Sequence, residues 1–256
     1  MLRENLIALK SILTKEITRY FRIWVQTLLP PAIMMSLYFV IFGNLIGSRI
    51  GEMGGVSYMA YITPGIIMMS VITNSYSNVV SSFFSAKFQR HIEELLVAPV
   101  PSIYILIGYV GGGVSRGMIT GAVVTCVSLF FVDLQIYNLW VVVSVILLTS
   151  ILFSLGGLIN AVFAKKFDDI SIVPTFVLTP LTYLGGVFYS ISLLPDFWQN
   201  ASMANPILYM VNAFRYGFLG QSDISLMTAF FIIILFIVIL FSFALYLLTT
   251  GKGLKS

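Results

Sequence analysis

The chain has 256 residues, of which 59% are hydrophobic and 9% are charged, and its formal net charge at neutral pH is +4. Soluble domains carry about 45–50% apolar and about 25% charged residues. This composition excludes a pair of soluble domains and predicts an all-α polytopic membrane protein with one transmembrane domain over residues 1–256.

The N-terminal segment, residues 1–22, is predicted to be an amphipathic helix. Apolar residues recur every three or four positions from Leu2 to Tyr20, and basic residues occupy the other faces. A basic amphipathic helix of this kind lies among lipid headgroups, so we expect an interfacial helix in contact with membrane lipid. A soluble tail is the alternative.

Six apolar stretches follow, each long enough for a transmembrane helix. The predicted spans are residues 23–46, 58–84, 102–132, 139–164, 170–189 and 226–249. Pro30 and Pro31 should kink the first span or delay its regular helix, because proline lacks the amide donor. Residues 190–221 are too polar for a simple span and too apolar for a free loop, so we expect short helices that dip into the outer interface.

Two of the spans carry features that require a neighbouring helix. The second span has a polar face that must find partners inside the protein or a wet cavity. Its members are Thr73, Asn74, Ser75, Ser77, Asn78, Ser81 and Ser82. In the third span, Gly113, Gly117 and Gly121 share one face and predict close helix contact. Arg116 in the same span either contacts a substrate or a gating partner, or forms a fixed ion pair or hydrogen bond.

The basic residues are distributed unevenly between the two sides of the predicted membrane domain. Eleven of the 14 Lys and Arg residues fall on one side: five before the first span, two in residues 87–101, two at 165–166, and Lys252 and Lys255 in the tail. Positive charge marks the cytoplasmic side, so both termini are predicted to be cytoplasmic.

Residues 87–101 form a charged island between the second and third spans. Phe88, Ile92 and Leu95 recur at helical spacing and predict a short amphipathic helix. Pro99 and Pro101 should end it. A polar helix placed between two spans can be displaced by a partner in the cytoplasm and can move both spans.

Several kinds of chemistry have no matching motif. The chain has no phosphate-binding loop. His91 is its only histidine and has no neighbouring ligand for a metal site. Glu93 and Glu94 resemble the paired glutamates of membrane proteases, but Ala98 stands where the arginine would be needed. We therefore expect no catalytic residues, no metal site and no cofactor in this chain. No acidic residue lies in the middle of a predicted span, which disfavours an ion-coupled carrier. A carrier of that kind or a passive channel remains the alternative function.

Three blocks of residues resemble the membrane subunit of an ABC-2 type exporter. They are Glu93–Pro99 followed by Gly108 and Gly112, then Pro180–Tyr189 followed by Leu194 and Pro195, then Asn205 and Pro206 followed by Tyr209 and Arg215. The resemblance extends over essentially the whole chain.

The resemblance implies a permease subunit of the inner membrane that forms a homodimer. It would pair with a separate ABC ATP-binding subunit, which would bind ATP and Mg²⁺, and no nucleic acid partner is expected. Residues 87–101 would be the coupling loop, and residues 190–221 would be a re-entrant hairpin. The coupling contacts would be Phe88, Arg90, His91, Ile92, Glu93, Glu94 and Leu95. The second predicted cytoplasmic connection, Lys165–Asp169, is very short. Most of the coupling would therefore depend on the first cytoplasmic connection, residues 87–101. As hypotheses for the translocation pathway, we name Asn74, Asn78, Arg116 and Tyr183.

Overall fold

The computed structural model describes residues 2–254, and this part of the chain is almost entirely helical. The helices of the first half are α1 Leu2–Arg22, α2 Trp24–Thr27, α3 Leu29–Tyr38, α4 Ser48–Ile50, α5 Tyr58–Phe88, α6 His91–Val97 and α7 Ser102–Ser128. Those of the second half are α8 Leu139–Phe163, α9 Asp169–Val173, α10 Thr179–Leu184, α11 Asp196–Met203, α12 Pro206–Leu219 and α13 Leu226–Thr250. Lys255, one of the two tail lysines, lies outside the described residues.

The first apolar stretch is interrupted where its prolines predicted a break. α2 and α3 are separate helices that meet at Leu28, and Pro30 and Pro31 occupy the first turn of α3. Proline is tolerated there because the first-turn amides have no intrahelical acceptor. The stretch then continues as wider, π-helical turns over Phe39–Gly47. The kink is therefore confirmed.

A small β-hairpin follows in the glycine-rich segment between the first two predicted spans. Strands β1 Glu52–Met53 and β2 Val56–Ser57 pair in antiparallel fashion. Gly54 and Gly55 connect them with φ values of 62° and 76°. Two consecutive positive φ angles favour a tight hairpin turn, and glycine adopts them without steric cost.

α5 is the central helix of the fold. Its 31 residues continue through Pro64 without a break, and nearly every face is buried, mainly against α7 and α8. The predicted glycine face of α7 allows this close packing. A Cβ atom at Gly117 would lie 2.1 Å from Ser75 Oγ of α5 and 2.4 Å from Ser150 Oγ of α8. The prediction of close helix contact along this face is confirmed.

A second glycine face of α7 receives the N-terminal helix. A Cβ atom at Gly108 would lie 2.5 Å from Ile12, and one at Gly112 would lie 2.5 Å from the Cβ of Glu16. Further along, the Tyr20 hydroxyl donates to Ser115 Oγ at 3.2 Å. These contacts advance in the same direction on both helices, so α1 runs parallel to α7 for about two turns. The C-terminal half of α1 is thus packed against protein.

The long apolar helices make the chain a multi-pass membrane protein. Within residues 2–254, four helical stretches are long and apolar enough to cross a bilayer: Trp24–Gly43, Ser102–Ser128, Leu139–Phe163 and Leu226–Thr250. α5 is longer than each of them, but it carries many polar side chains, which packing against α7 and α8 permits. The apolar stretch Asp169–Leu184 is shorter. The count of six spans therefore remains a prediction.

The segment before the last long helix folds as short helices, as expected. A single 3₁₀ turn at Ile191–Leu193 leads into α11, and Asn205 begins α12 by accepting a hydrogen bond from the Ile207 amide at 3.0 Å. α12 is buried along most of its length. Whether this segment enters and leaves the bilayer on one side remains a prediction.

Candidate functional site

The 87–101 segment contains one short helix, α6. α5 ends at Phe88, and Arg90 has a left-handed backbone with a φ of 63°. This conformation costs a non-glycine residue about 1–2 kcal/mol and stops the right-handed path of α5. α6 ends at Val97, because Ala98 precedes Pro99 and takes an extended conformation. The short helix predicted here is confirmed.

Most of the candidate coupling residues face outward. The exposed ones are Phe88, Arg90, His91, Glu93 and Glu94. Leu95 is half-buried. Ile92 is different, because its side chain is 0% exposed and belongs to the hydrophobic core. Ile92 therefore anchors α6 to the protein and leaves the other side of the helix free, and its role as a contact with a partner stays a prediction.

The connection between α8 and α9 lies against the end of α5. The Phe167 ring packs edge-on against Phe84 and Phe88, with centroid distances of 5.0 Å in each case. The Lys87 ammonium donates to two carbonyl groups at the end of α8. A cation is favourable at that end of a helix, where the macrodipole is negative. The two connections therefore form one continuous surface.

The short α8–α9 connection is held by a carboxylate. The backbone amides of Lys165 and Lys166 donate to Asp169 Oδ2 at 2.8 and 3.0 Å. These two hydrogen bonds favour the charged form, so they hold the pKa of Asp169 below its usual value. The connection is thus fixed by an ionised side chain at neutral pH.

A cleft of about 480 Å³ separates these elements. Its lining combines aromatic and charged side chains from the 87–101 segment with the end of α8 and the chain tail. The main contributors are Phe84, Lys87, Phe88, Arg90, Glu93, Phe163, Lys165 and Leu254. Of these, the aromatic side chains and Arg90 are of the types enriched at protein interfaces, whereas lysine and glutamate are depleted there.

Inside the helical domain, Arg116 has a polar but uncharged partner. Its guanidinium donates to Asn74 Oδ1 at 2.9 Å. The Asn74 amide group donates in turn to the Ser70 carbonyl one turn earlier, at 3.0 Å. The structure shows the hydrogen bond, and the contact of Arg116 with a substrate or a gating partner stays a prediction. Its Nε atom is buried without a hydrogen-bond partner in the structure.

A buried ion pair lies one turn further along α5, and sequence reasoning missed it. Glu16 is 0% exposed, and it accepts a hydrogen bond from Ser82 Oγ at 2.6 Å. Arg19 lies 3.4 Å from the Glu16 carboxylate and donates to both the side chain and the backbone carbonyl of Asn78 at 2.9 Å. α1 therefore brings a charged pair to the polar face of α5. The i, i+3 spacing of Glu16 and Arg19 on α1 is the sequence feature that could have indicated an ion pair.

This carboxylate bears on the alternative of an ion-coupled carrier. No predicted span contains a central acidic residue, but Glu16 reaches the protein interior from α1. Its carboxylate is paired with Arg19 and accepts a hydrogen bond from Ser82, so its contacts assign it a structural role.

A groove of about 300 Å³ opens beside Arg116 and Asn74. One wall comes from α2 and α3, and the opposite wall comes from the middle of α5. The apolar lining consists of Pro30, Pro31, Met34, Met35, Tyr38 and Met69. Of the four residues named for the pathway, Asn74 and Arg116 line this groove. Asn78 lies one turn away and is bonded to Arg19.

Tyr183 lies elsewhere, on α10. Its side chain is 46% exposed, and its ring stacks on Phe188 at a centroid distance of 5.8 Å. It does not line the Arg116 groove.

Arg215 is a buried structural cation. It is 1% exposed, donates to the carbonyls of Tyr61 and Gly186 at 3.3 and 2.6 Å, and lies 4.0 Å from the centre of the Tyr61 ring. It fixes α12 to α5.

Within residues 2–254, no group of three His, Cys, Asp or Glu side chains could hold a metal ion. What the structure does present is a polytopic helical domain with an exposed short helix at one end of its central helix. Residues 7–219 match the ABC-2 type transporter family. The chain belongs to this family, as its sequence blocks indicated, and it is a membrane permease subunit. It is 64% identical over 251 residues, 98% of each chain, to the inner membrane transport permease YadH of Escherichia coli K12.

More distant relatives extend the comparison. The chain is 25% identical over 186 residues to nodulation protein J of Rhizobium leguminosarum bv. trifolii, covering 72% of this chain and 71% of the relative. It is 24% identical over 186 residues to nodulation protein J of Rhizobium meliloti, with the same coverage.

Proposed function

We propose that this chain is the permease subunit of an ATP-driven exporter of the inner membrane. A separate ABC ATP-binding subunit hydrolyses ATP with Mg²⁺, and two copies of the permease form the transport pathway. The observation that carries the proposal is the exposed face of α6, at the end of the central helix, in a chain that belongs to the ABC-2 type transporter family.

The contact surface has the properties needed to receive a moving partner. Glu93 and Glu94 are exposed on the first turn of α6, while Ile92 ties the same helix to the core. A force on the acidic face is therefore passed to α5 through the helix itself. Lys87 and the Phe167 contact carry the same displacement to α8.

The mechanism follows from these connections. Closure of the ATP-binding subunits displaces α6, and the inner ends of α5 and α7 move with it. Because α5 packs against α7 and α8 along glycine and serine surfaces, small tilts are possible without large side-chain rearrangements. The tilt opens a pathway between the two permease copies toward the outside.

The topology completes the proposal. We infer that the chain crosses the membrane six times and that both termini lie in the cytoplasm. The exposed N-terminal half of α1 lies in the headgroup region, and residues 190–221 form a re-entrant hairpin on the outer side. The bias of lysine and arginine toward one side supports this orientation. Single cysteines at Glu94 and Glu52 should react with a membrane-impermeant reagent from opposite sides. Labelling of both from one side would contradict the orientation.

The coupling role is tested by charge reversal. The variant Glu93→Lys/Glu94→Lys should lose permease-stimulated ATP hydrolysis in the complex purified with its ATP-binding subunit, because like charges would oppose docking. The matched control is Glu52→Lys/Asp196→Lys, which reverses two exposed acids on the predicted outer side. Unchanged stimulation in the α6 variant would remove the coupling assignment. If no ATP-binding subunit co-purifies with the permease, the channel or carrier alternative is favoured.

A further inference from the structure

The charged groups around Arg116 do not balance. Three charged side chains meet where α1, α5 and α7 pack together: Glu16, Arg19 and Arg116. Glu16 is committed to Arg19 and Ser82, at 3.4 and 2.6 Å. One carboxylate against two guanidinium groups leaves one positive charge, and that charge is on Arg116. Among the described residues, no carboxylate lies within ion-pair distance of it.

The hydrogen bonding of Arg116 is also incomplete. A guanidinium has five N–H donors. The structure gives this one a single acceptor, Asn74 Oδ1 at 2.9 Å, and its Nε atom is buried without a partner. Arg19, a like charge, is bonded to Asn78, one turn of α5 from Asn74. Cations inside membrane domains are normally paired, because hydrocarbon does not solvate them. An anion is the partner that this site lacks.

The surroundings specify what kind of anion fits. The groove beside Arg116 has a volume of about 300 Å³ and a wall of methionine and proline side chains. Met34 on that wall is 51% exposed, so the groove opens at the apolar surface of the domain. Arg116 is the fifteenth of the 27 residues of α7, which puts it near mid-depth of that helix. A hydrated inorganic ion would have to cross hydrocarbon to reach it, whereas an amphiphile dissolved in the bilayer would not.

The apolar wall is adaptable. It is built from α2 and α3, which are separated at Leu28. After α3 the chain continues as wider helical turns over Phe39–Gly47. Methionine side chains are unbranched and flexible, and they accommodate chains of different shape. A wall of this type suits an alkyl chain better than a rigid polar solute.

We propose that the groove between α3 and α5 binds an amphiphile with a carboxylate or phosphate headgroup, which Arg116 holds while its apolar chain lies along the methionine wall. The proposal rests on the permease function and names its substrate class. The bound amphiphile enters from the bilayer, supplies the missing negative charge and is the molecule to be moved.

The test uses the full chain in nanodiscs of zwitterionic lipid, with no ATP-binding subunit. The probe is a palmitate analogue with a photoreactive diazirine in its chain, and adducts are located by mass spectrometry. We expect adducts on Met34, Met35 or Met69, competed by dodecyl phosphate and not by inorganic phosphate or dodecyl maltoside. The corresponding alcohol, which has no charge, should label these residues at least about tenfold less, equivalent to about 1.4 kcal/mol.

The decisive variant is Asn74→Asp, which has nearly the same shape and places a carboxylate next to Arg116. It should preserve or improve folding, because it completes an ion pair, and it should lower labelling by the palmitate probe at least about tenfold. Arg116→Lys should retain labelling. The control Asn138→Asp makes the same chemical change at the start of α8, where aspartate is an equally good helix cap.

Equal labelling by the alcohol, or full labelling of Asn74→Asp, would overturn the proposal. A disulfide between Met34→Cys residues of two copies, with no adduct in the groove, would also overturn it by showing that a second permease covers the site. These outcomes are independent of ATP hydrolysis, so the coupling role and the substrate class can fail separately.

Discussion

Replacement of Glu16 by alanine should release the C-terminal half of α1 from α5. Removal of one partner from a buried ion pair costs about 3–5 kcal/mol. The Arg19 side chain is 30% exposed to solvent, and it would keep its two hydrogen bonds to Asn78. Its positive charge would therefore be only partly uncompensated. The hydrogen bond from Ser82 is lost as well. We therefore expect a local destabilisation somewhat below that range, about 2–3 kcal/mol.

The assay follows the opening of α1 directly. Ile12 is 6% exposed and lies against Gly108, so a cysteine at this position reacts with a maleimide only when α1 separates from α7. The native Cys126 is exposed and is replaced by serine in every variant. When opening is in rapid equilibrium, a change of about 2–3 kcal/mol in its free energy increases the labelling rate about 30- to 150-fold.

Two controls make the result specific. Glu16→Gln keeps the volume of the side chain and an acceptor for Ser82, so it should label much more slowly than Glu16→Ala. Thr14→Ala removes an exposed side chain from the same helix and should label at the background rate. If Glu16→Ala labels no faster than Thr14→Ala, the ion pair does not hold α1 in place, and the argument from burial is wrong.

Three further changes have definite expected outcomes. Gly117→Ala should lower the free energy of unfolding by about 1–3 kcal/mol, because the added methyl group overpacks the helix contact. The control Gly156→Ala should not lower it, because its added Cβ would be 3.9 Å from the nearest atoms. Thermal unfolding in detergent compares the two variants. Arg90→Val should be less stable than Arg90→Gly by about 1–2 kcal/mol, measured by hydrogen exchange in α6, because Arg90 has a φ of 63°. The hydrogen bonds to ionised Asp169 lower its pKa, so they stabilise the α8–α9 connection fully when the pH is above the unfolded-state pKa of about 3.9. This stabilisation is lost as the pH falls through the lower pKa of the folded state. The protection factors of the two lysine amides, which correct for the intrinsic pH dependence of exchange, should therefore fall in acid, and Asp169→Asn should remove this fall.

The features that the sequence predicted correctly depend on local signals. The break at Pro30 and Pro31, the short helix before Pro99 and the close approach at Gly117 each follow from residues near one another in the chain. Proline removes a hydrogen bond, and glycine removes a side chain, wherever they occur in a helix.

The features that were missed depend on which surfaces meet. The Glu16 carboxylate and Ser82 are 66 positions apart, so no local pattern reveals their hydrogen bond. The burial of Ile92 was missed for the same reason, since periodicity identifies an apolar face but not whether that face meets the chain itself or a partner. The β-hairpin is a different case, because Gly54 and Gly55 are a recognised turn signal that was available in the sequence.

The unbroken length of α5 has a mechanical consequence. Its closest contacts with α7 are at Val71, Ser75 and Val79, near the middle of a helix that runs from Tyr58 to Phe88. At a rise of about 1.5 Å per residue, about 25 Å of rod lies on one side of Ser75 and about 20 Å on the other. If α5 pivots at these contacts, its two ends move in opposite directions by nearly equal amounts. Under the proposed coupling to ATP hydrolysis, spin labels placed at the two ends should report opposite displacements of similar size.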